Sequence, residues 1–299
     1  MARIALLGST GQIGRSLADY FSRRGDDLLL LARSPERASD LAAGLAGVGR
    51  KDVSHPERVA NSEPFDLLVN ALGIGDPRRI ADQGEGIVKM TRESDELSLS
   101  LLRGAPGAMY VFLSSGIVHN HLPAQSDSSP PSPKPEETYY RVAKREAEAR
   151  HRAMPELPIV DLRLFGFVSR YLDTAGSFFL SETFSAIRDR KEIATTCDNM
   201  IRDYVYADDL GRLIEACASA PANHAIDAFT RAPVDKLTLL DRCAHEFGLC
   251  HRTVASITSP AEDKPHYYSL DRTASSFGYQ PEFNAEEAVV HTFRILLGR

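Results

Sequence analysis

The sequence predicts an α/β protein whose core is a doubly wound parallel sheet, with a smaller lobe toward the C-terminus. Short apolar runs of strand length alternate along the chain with segments whose apolar residues recur at helical spacing. A glycine-rich turn, GSTGQIG, lies between the first such run and the first helical segment. This alternation is typical of βαβ units, in which helices cover both faces of the sheet and crossovers are right-handed.

Apolar runs of strand length and helical segments follow one another through about the first 165 residues. The run RIALLG predicts a buried strand, and the helical segment that follows it, QIGRSLADYFSRRG, ends at Gly25. The runs DLLLLAR, FDLLVNALG, MYVFLSSG and PIVDLRLFG predict further strands. Amphipathic helices are expected around residues 86–103 and 137–153. The pattern becomes less regular after about residue 165.

A segment rich in Pro and Ser, PAQSDSSPPSPKPEE, occupies residues 123–137 and interrupts the alternation. Its prolines exclude both a continuing helix and a central strand. The segment is therefore either a flexible surface loop or a mobile flap. The second interpretation arises because the segment joins two candidate catalytic stretches.

Composition and charge restrict the class of protein. The chain of 299 residues is 43% apolar and 25% charged, which is typical of a soluble globular protein with one or two domains. A net charge of −6 argues against binding nucleic acid, and no apolar run is long enough to span a membrane. The start of the chain shows no signal-peptide pattern, and the four cysteines form no CxxC pair. We therefore expect a cytoplasmic location.

The glycine-rich turn predicts a dinucleotide site. Gly8 permits the tight turn after the first strand, Gly11 lets a pyrophosphate approach the backbone, and Gly14 allows close packing of helix on strand. The helix N-terminus supplies free N–H groups and a partial positive charge for the phosphates. A tight turn without a ligand is the other interpretation of this pattern.

The residue at the end of the second strand indicates which nucleotide is bound. NAD-binding proteins place Asp or Glu there, where it accepts hydrogen bonds from the ribose hydroxyls. This chain has Arg33, followed by Ser34 and, one helical turn on, by Arg37. A guanidinium can bind a 2′-phosphate that a carboxylate would repel. We expect NADP, as NADPH, with NAD possible, although Arg33 could also be an ordinary solvated charge.

The full set of expected cofactor-binding residues extends along the ends of the first four strands. Asp52 and Val53 are placed beside the adenine, and the VNALG segment is placed along the cofactor. The set comprises Gly8, Ser9, Thr10, Gly11, Gln12, Ile13, Gly14, Arg33, Ser34, Arg37, Asp52, Val53, Asn70, Ala71, Leu72, Gly73, Tyr140 and Lys144.

The stretch YYRVAKREAEAR supplies the candidate proton donor. Tyr140 and Lys144 are four residues apart and share one face of a helix. A phenol has an ordinary pKa of about 10, and a neighbouring ammonium favours the phenolate and lowers that pKa. Ser114 and Ser115 follow a predicted central strand, at the sheet edge where ligands bind.

These motifs together resemble the extended short-chain dehydrogenase/reductases of the NAD-dependent epimerase/dehydratase group. The matching pieces are GSTGQIG, VNALG, FLSSGIVH, YYRVAK, DLRLFG and IRDYVYADDL, in family order over roughly the first 210 residues. The tail, YYSLDRTASSFGYQPEFNAEEAV, resembles the segment that closes the family's substrate lobe. The resemblance implies a Rossmann domain at 1–165, to which the chain returns at about 200–225, and a substrate lobe at 166–200 and 226–299.

The resemblance also implies roles for individual residues. Tyr140 would be the general acid/base, Lys144 its tuner and a ribose ligand, and Ser115 the partner of the reacting oxygen. Arg202 would meet a substrate diphosphate or else form a surface salt bridge. The expected substrate-binding residues are Ser114, Ser115, His119, Gly166 and Arg202. No metal is expected, because His119 and His121 have no third ligand nearby.

Three departures from the family pattern bear on the reaction. Dehydratases follow the catalytic Ser or Thr with an Asp–Glu pair, where this chain has Gly116 and Ile117. Epimerases typically carry the acidic residue that Arg33 replaces. The family's NVYG element is here GFVS, which lacks the asparagine that contacts the nucleotide sugar.

What remains is simple reduction by exchangeable NADPH. The overall resemblance, including the compact length and the tail, is closest to ketoreductases of nucleotide-activated deoxysugars, and it implies a nucleotide-activated 4-keto-6-deoxy sugar as the substrate. The resemblance also implies a homodimer, packed through the helices around 86–103 and 137–153. The alternatives are a nucleotide-sugar epimerase, a reductase of a non-sugar carbonyl, and a non-enzymatic cofactor-sensing protein.

Overall fold

The computed structural model describes residues 1–59, 64–119, 135–255 and 266–299. The Pro- and Ser-rich segment predicted at 123–137 therefore lies outside the described residues as far as residue 134. A helix begins at Pro135.

Strands and helices alternate through the first half of the chain, as the sequence predicts. The strands are β1 (Arg3–Leu7), β2 (Asp27–Leu31), β3 (Lys51–Ser54), β4 (Leu67–Asn70), β5 (Met109–Ser115), β6 (Ile159–Leu164), β7 (Phe167–Val168), β8 (Glu192–Thr196), β9 (Ile201–Arg202), β10 (Val205–Tyr206), β11 (His224–Asp227), β12 (Val234–Asp235) and β13 (Cys250–Val254). The helices are α1 (Gln12–Arg23), α2 (Pro35–Gly44), α3 (Pro77–Gln83), α4 (Gly86–Arg103), α5 (Pro135–Arg152), α6 (Phe179–Asp189), α7 (Ala207–Ser219), α8 (Lys236–Phe247) and α9 (Ala285–Leu296). In the described ranges, every helix is too short or too polar to cross a bilayer.

Seven strands form one sheet in the order β11-β6-β5-β4-β1-β2-β3. All of its neighbouring strands are parallel. The strand order reverses between β1 and β4, and in doubly wound sheets ligands bind at the carboxyl edge at such a point. The predicted doubly wound parallel sheet is confirmed.

Apolar clusters lie on both faces of the sheet, and they explain why the sequence of each strand is an almost continuous run of apolar residues. In β1, Ile4 and Leu6 enter the cluster beneath α1 and α7, whereas Ala5 and Leu7 enter the cluster beneath α4 and α5. Strands buried on both faces need apolar residues at every position, because neither face meets water.

A third apolar cluster holds the C-terminal part together. Most of its members come from α6, α8 and α9, and they include Phe184, Leu240 and Phe293. Short two-stranded sheets, β7 with β10, β9 with β12 and β8 with β13, accompany it. Asp203 accepts hydrogen bonds from the backbone N–H and hydroxyl of Thr230. It thereby links the start of this part to the end of the main sheet.

A buried charged cluster behind β5 and β6 was not foreseen from the sequence. His151 is fully buried, with its Nε2 2.8 Å from Asp95 and its Nδ1 2.6 Å from Asp161. Arg150 and Arg152 donate to the outer oxygens of Asp95 and Asp161, respectively. Burial lowers the pKa of His151, but the hydrogen bonds from the imidazole to Asp161 and Asp95 outweigh burial and raise it from 6.5 to about 9.

The raised pKa of His151 makes stability depend on pH. The folded protein holds this proton up to about pH 9, whereas the unfolded chain releases it near 6.5, so stability is lost as pH rises between these values. The free energy of unfolding should fall by about 1–2 kcal/mol from pH 6.5 to 8. His151→Gln should be less stable throughout and should lack this slope. Urea unfolding at several pH values measures both, and an unchanged slope in the variant would contradict the assignment.

Candidate active site

The glycine-rich turn lies where the sheet order reverses, and two of its glycines are required by packing. Gly8 has a positive φ of 79°, and a Cβ there would lie 2.8 Å from the backbone nitrogen of Leu72. A Cβ on Gly14 would lie 2.2 Å from the carbonyl oxygen of Gly8. The first glycine thus brings the turns after β1 and β4 together, and the third brings α1 onto β1.

Gly11 differs because the space beside it is nearly open. Among the described residues, the one atom within 4 Å of a Cβ there would be the Gly8 carbonyl oxygen, at 3.4 Å. Gly11 caps α1 without any side-chain hydrogen bond, so the N–H groups of the first turn face this space. A helix N-terminus opening onto free space suits the phosphates of a dinucleotide.

The other expected residues of this turn have mixed placements. Ser9 is buried and its hydroxyl donates to the Leu31 carbonyl oxygen at 3.3 Å, so it ties the turn to β2. Thr10 and Gln12 are half-buried at the turn. Ile13 and Val53 pack against the core cluster beneath α1.

The end of β2 presents free positive charge. Arg33 and Arg37 are exposed, and neither has a hydrogen-bond or ion-pair partner among the residues that the structure describes. Ser34 is half-buried and donates to Glu36 at 2.9 Å. Asp52, expected beside the adenine, has its carboxylate 3.0 Å from Arg3, and its side chain is 40% exposed.

The turn after β4 connects the glycine-rich turn to the candidate proton donor. Asn70 is buried, donates to the Tyr110 hydroxyl at 3.2 Å and accepts from the Leu72 N–H at 3.0 Å. Ala71 donates through its backbone to β1. A Cβ on Gly73 would lie 3.8 Å from the Lys144 Nζ. The expected nucleotide path therefore leads directly to Lys144.

Three hydroxyl groups meet at the end of β5. Ser115 is 7% exposed, and its Oγ lies 2.8 Å from the Tyr267 hydroxyl. The Ser115 hydroxyl also lies near enough to the Tyr140 phenol to lower the pKa of that phenol by hydrogen bonding. The backbone N–H of Ile117 also points to this Oγ, at 3.4 Å. The structure thus brings Ser115 and Tyr140 together. The structure also places Tyr267 here. The segment that contains Tyr267 resembles the C-terminal segment of the family described above, but no local sequence pattern indicated a role for this tyrosine.

Lys144 lies beside this group in an arrangement that differs from the expected one. Its Nζ donates to the Leu113 carbonyl oxygen at 2.8 Å and lies 5.8 Å from the centre of the Tyr140 ring. Burial lowers the pKa of Lys144 to about 8. Burial also raises the pKa of Tyr140, while the hydrogen bond with Ser115 lowers it. The expected lowering by Lys144 is not seen, because its ammonium is turned toward a carbonyl oxygen.

The other serine, Ser114, is engaged inside the protein. Its hydroxyl donates to Glu148 at 2.6 Å, and Arg163 donates to the same carboxylate. Ser114 was expected to contact substrate together with Ser115. Its side chain points to the opposite face of β5, because successive strand residues alternate between faces.

His119 is held at the edge of the site by Asp227. Its Nε2 lies 3.0 Å from both carboxylate oxygens of Asp227, and its ring stacks on Phe165 at 5.8 Å. His121 lies outside the described residues. Within the described ranges, no group of three or more His, Cys, Asp or Glu could hold a metal ion.

The expected substrate-lobe residues lie near Tyr267. A Cβ on Gly166 would lie 2.3 Å from the Asp203 carbonyl oxygen, so this glycine is required by packing. The Arg202 guanidinium is half-buried and lies 5.9 Å from the centre of the Tyr267 ring. Arg202 thus lies beside the Tyr267 ring, and its guanidinium donates to the Ile201 carbonyl oxygen at 3.2 Å.

A segment of the lobe, residues 170–178, bridges the crevice between the two turns. On one side Arg170 contacts Asp19 of α1 at 2.6 Å. On the other side Asp76, at the start of α3, accepts hydrogen bonds from the backbone and hydroxyl of Ser177.

Solved structures with the same fold cover nearly the whole chain. The UDP-glucose 4-epimerase from Bifidobacterium longum, in complex with NAD+ and UDP, has a TM-score of 0.76 at 15% identity over 99% of this chain and 98% of that one. The dTDP-glucose 4,6-dehydratase from Bacillus anthracis, in complex with NAD, has a TM-score of 0.76 at 12% identity over 100% and 97%. At such identities the likeness shows the fold alone.

The curated proteins contain no match to this chain. A family model does match, over residues 4–228, and it spans the glycine-rich turn, Ser115 and Tyr140 of the hydroxyl group cluster, and the edge strand β11. This chain therefore belongs to the NAD dependent epimerase/dehydratase family.

Proposed function

We propose that this protein reduces the keto group of a nucleotide-activated 4-keto-6-deoxy sugar with NADPH. The observation that carries the proposal is the meeting of Ser115 and Tyr140 beside Lys144, at the end of the path that begins at Gly11. Family membership and the nucleotide sugars named for the solved relatives support this substrate class.

The side chains suit the protonation half of a carbonyl reduction. Bound NADPH supplies hydride to the carbonyl carbon. Tyr140 gives its phenolic proton to the carbonyl oxygen, and Ser115 stabilises the negative charge that develops there by donating a hydrogen bond. Lys144 donates to the ribose hydroxyls from beside Gly73. Burial raises the pKa of Tyr140, so the phenol is protonated and ready to donate at neutral pH.

Packing around Gly116 supports reduction over dehydration. A Cβ on Gly116 would lie 2.4 Å from the Phe165 ring. The acidic side chain that dehydratases carry there has no space while Phe165 keeps this position. The uncompensated charge of Arg33 and Arg37 supports NADP, and hence an exchangeable reductant rather than the retained NAD of an epimerase.

A reductase of a non-sugar carbonyl is the second candidate, and the aromatic surroundings favour it. The Phe165 and Tyr267 rings lie 5.1 Å apart beside Ser115. Phe178 is 39% exposed next to Gly75. The half-buried Arg202 favours a diphosphate and hence the sugar nucleotide.

A homodimer packed through α4 and α5 is part of the first proposal, and a sedimentation mass of one chain would exclude it.

The substrate proposal is tested by offering CDP-, dTDP- and GDP-4-keto-6-deoxyhexoses with NADPH and following cofactor absorbance. One sugar nucleotide should be reduced. Tyr140→Phe should slow turnover at least about 100-fold with NADPH affinity unchanged, because the proton donor is lost. Tyr139→Phe, at the exposed neighbour, is the matched control. Reduction of phenolic or steroid-like carbonyls alone would favour the second candidate, and sugar interconversion without net NADPH oxidation would indicate an epimerase.

Arg33 should discriminate between the two nucleotides. Arg33→Asp places a carboxylate against the 2′-phosphate and should weaken NADPH binding by about 10- to 100-fold, with a small effect on NADH. Arg103→Asp makes the same charge change at an exposed residue of α4 and should leave both affinities unchanged. Fluorescence titration measures the dissociation constants. Equal weakening of NADPH and NADH by Arg33→Asp would remove the case for phosphate recognition.

Lys144 should set an alkaline limit to activity. Its pKa is lowered by burial from 10.5 to about 8, so the ammonium is lost as pH rises through about 8. The value of kcat/KM for varied NADPH reports the free protein and should fall above that pH. The raised pKa of Tyr140 excludes this phenol as the group responsible. Lys144→Arg keeps the positive charge and should move the alkaline limit to higher pH. If the limit stays near pH 8 in this variant, a group other than Lys144 is responsible for it.

A further inference from the structure

The Ser115 hydroxyl is shared between two phenols that come from different parts of the chain. Tyr140 reaches it from α5, and Tyr267 reaches it from the C-terminal part, with its hydroxyl 2.8 Å from the Ser115 Oγ. Neither the family match, which ends at residue 228, nor the motifs assign Tyr267 a role.

Tyr267 is fixed from both its backbone and its ring. Its N–H donates to the Ile201 carbonyl oxygen at 2.9 Å, and a β-bridge joins it to Arg202. Its ring lies 5.1 Å from that of Phe165, which itself is seated on Gly116. A side chain held in this way is positioned by the fold, so the contact with Ser115 is a built feature of the site.

The number of hydrogen bonds that a serine can form decides the direction of these contacts. Its hydroxyl has one proton and two acceptor lone pairs. To stabilise a substrate oxygen, the Ser115 hydroxyl must donate its one hydrogen bond to the substrate. Its contacts with protein groups must then be hydrogen bonds that the Ser115 Oγ accepts. Burial raises the pKa of Tyr267 above its ordinary value, so this phenol keeps its proton and can serve as the donor.

We propose that Tyr267 is a positioning residue, which donates its hydrogen bond to the Ser115 Oγ and so directs the single Ser115 proton at the substrate carbonyl oxygen. The role depends on the proposed reduction, because it acts through the hydroxyl that contacts the reacting oxygen. Accepting a bond from Tyr267 also polarises Ser115 and strengthens the bond that it donates. Tyr267 is thereby distinct from Tyr140, which gives its proton to the substrate.

A kinetic comparison tests the role in the reaction. Tyr267→Phe keeps the ring on Phe165 and should lower kcat about tenfold with little change in KM, the effect of one lost hydrogen bond. Tyr268→Phe, the same change one residue on, should leave kcat unchanged. In a Ser115→Ala background, Tyr267→Phe should have no further effect, because the two act as a unit. Unchanged kcat, or a lower KM showing that Tyr267 competes with substrate for Ser115, would overturn the proposal.

A second measurement needs no substrate and stands apart from the proposed function. Ser115→Cys replaces the hydroxyl by a thiol, whose ionisation is followed by the ultraviolet absorbance of the thiolate, as a difference against the parent protein. Donation from Tyr267 stabilises the thiolate, so adding Tyr267→Phe should raise the pKa of that thiol by about one unit. Adding Tyr268→Phe should not. An equal thiol pKa in all backgrounds would refute the contact, whereas a shifted pKa with no reductase activity would refute only the reaction.

Discussion

The turns after β1 and β4 touch through backbone atoms at Gly8, and the rest of the candidate site is built outward from that contact. No side chain fits there, since a Cβ would lie within 2.9 Å of both the Leu72 nitrogen and the Ala71 carbonyl carbon. The contact fixes the crevice at the point where the strand order reverses. It also carries the VNALG turn forward until Gly73 lies beside Lys144. A backbone constraint at one glycine thus joins the glycine-rich turn to the end of the candidate site that holds Lys144.

Behind the site, buried charges hold the strands and helices that present its hydroxyl groups. Ser114 and Arg163 share the Glu148 carboxylate, which ties β5 and β6 to α5. His151 joins Asp95 of α4 to Asp161 of β6. Such ion pairs contribute little net stability when their desolvation is counted, but breaking one leaves an uncompensated buried charge. Their effect here is to fix the orientation of α5, and therefore of Tyr140 and Lys144, against the end of β5.

Phe165 and Tyr267 form an aromatic pair beside Ser115, with their ring centres 5.1 Å apart. Phe165 takes the space above Gly116, and Tyr267 takes the hydrogen-bonding position beside Ser115. Together they narrow the chemistry that the site can host, since an added acidic side chain has no room and the Ser115 hydroxyl already has two phenolic partners. The cation of Arg202, near the Tyr267 ring, then supplies the positive charge on the lobe side.

The sequence by itself determined the parallel sheet, the glycine-rich turn and the pairing of Tyr140 with Lys144 on one helix, because each depends on residues close together in the chain. Periodicity, turn chemistry and helical spacing are local, so they can be read without a structure. Only the tertiary structure decided that Ser114 faces Glu148, that Asp52 is bound by Arg3, and that Tyr267 reaches Ser115 from 152 residues away. Those contacts join distant segments, and no local pattern records which side chain will meet which when the chain packs.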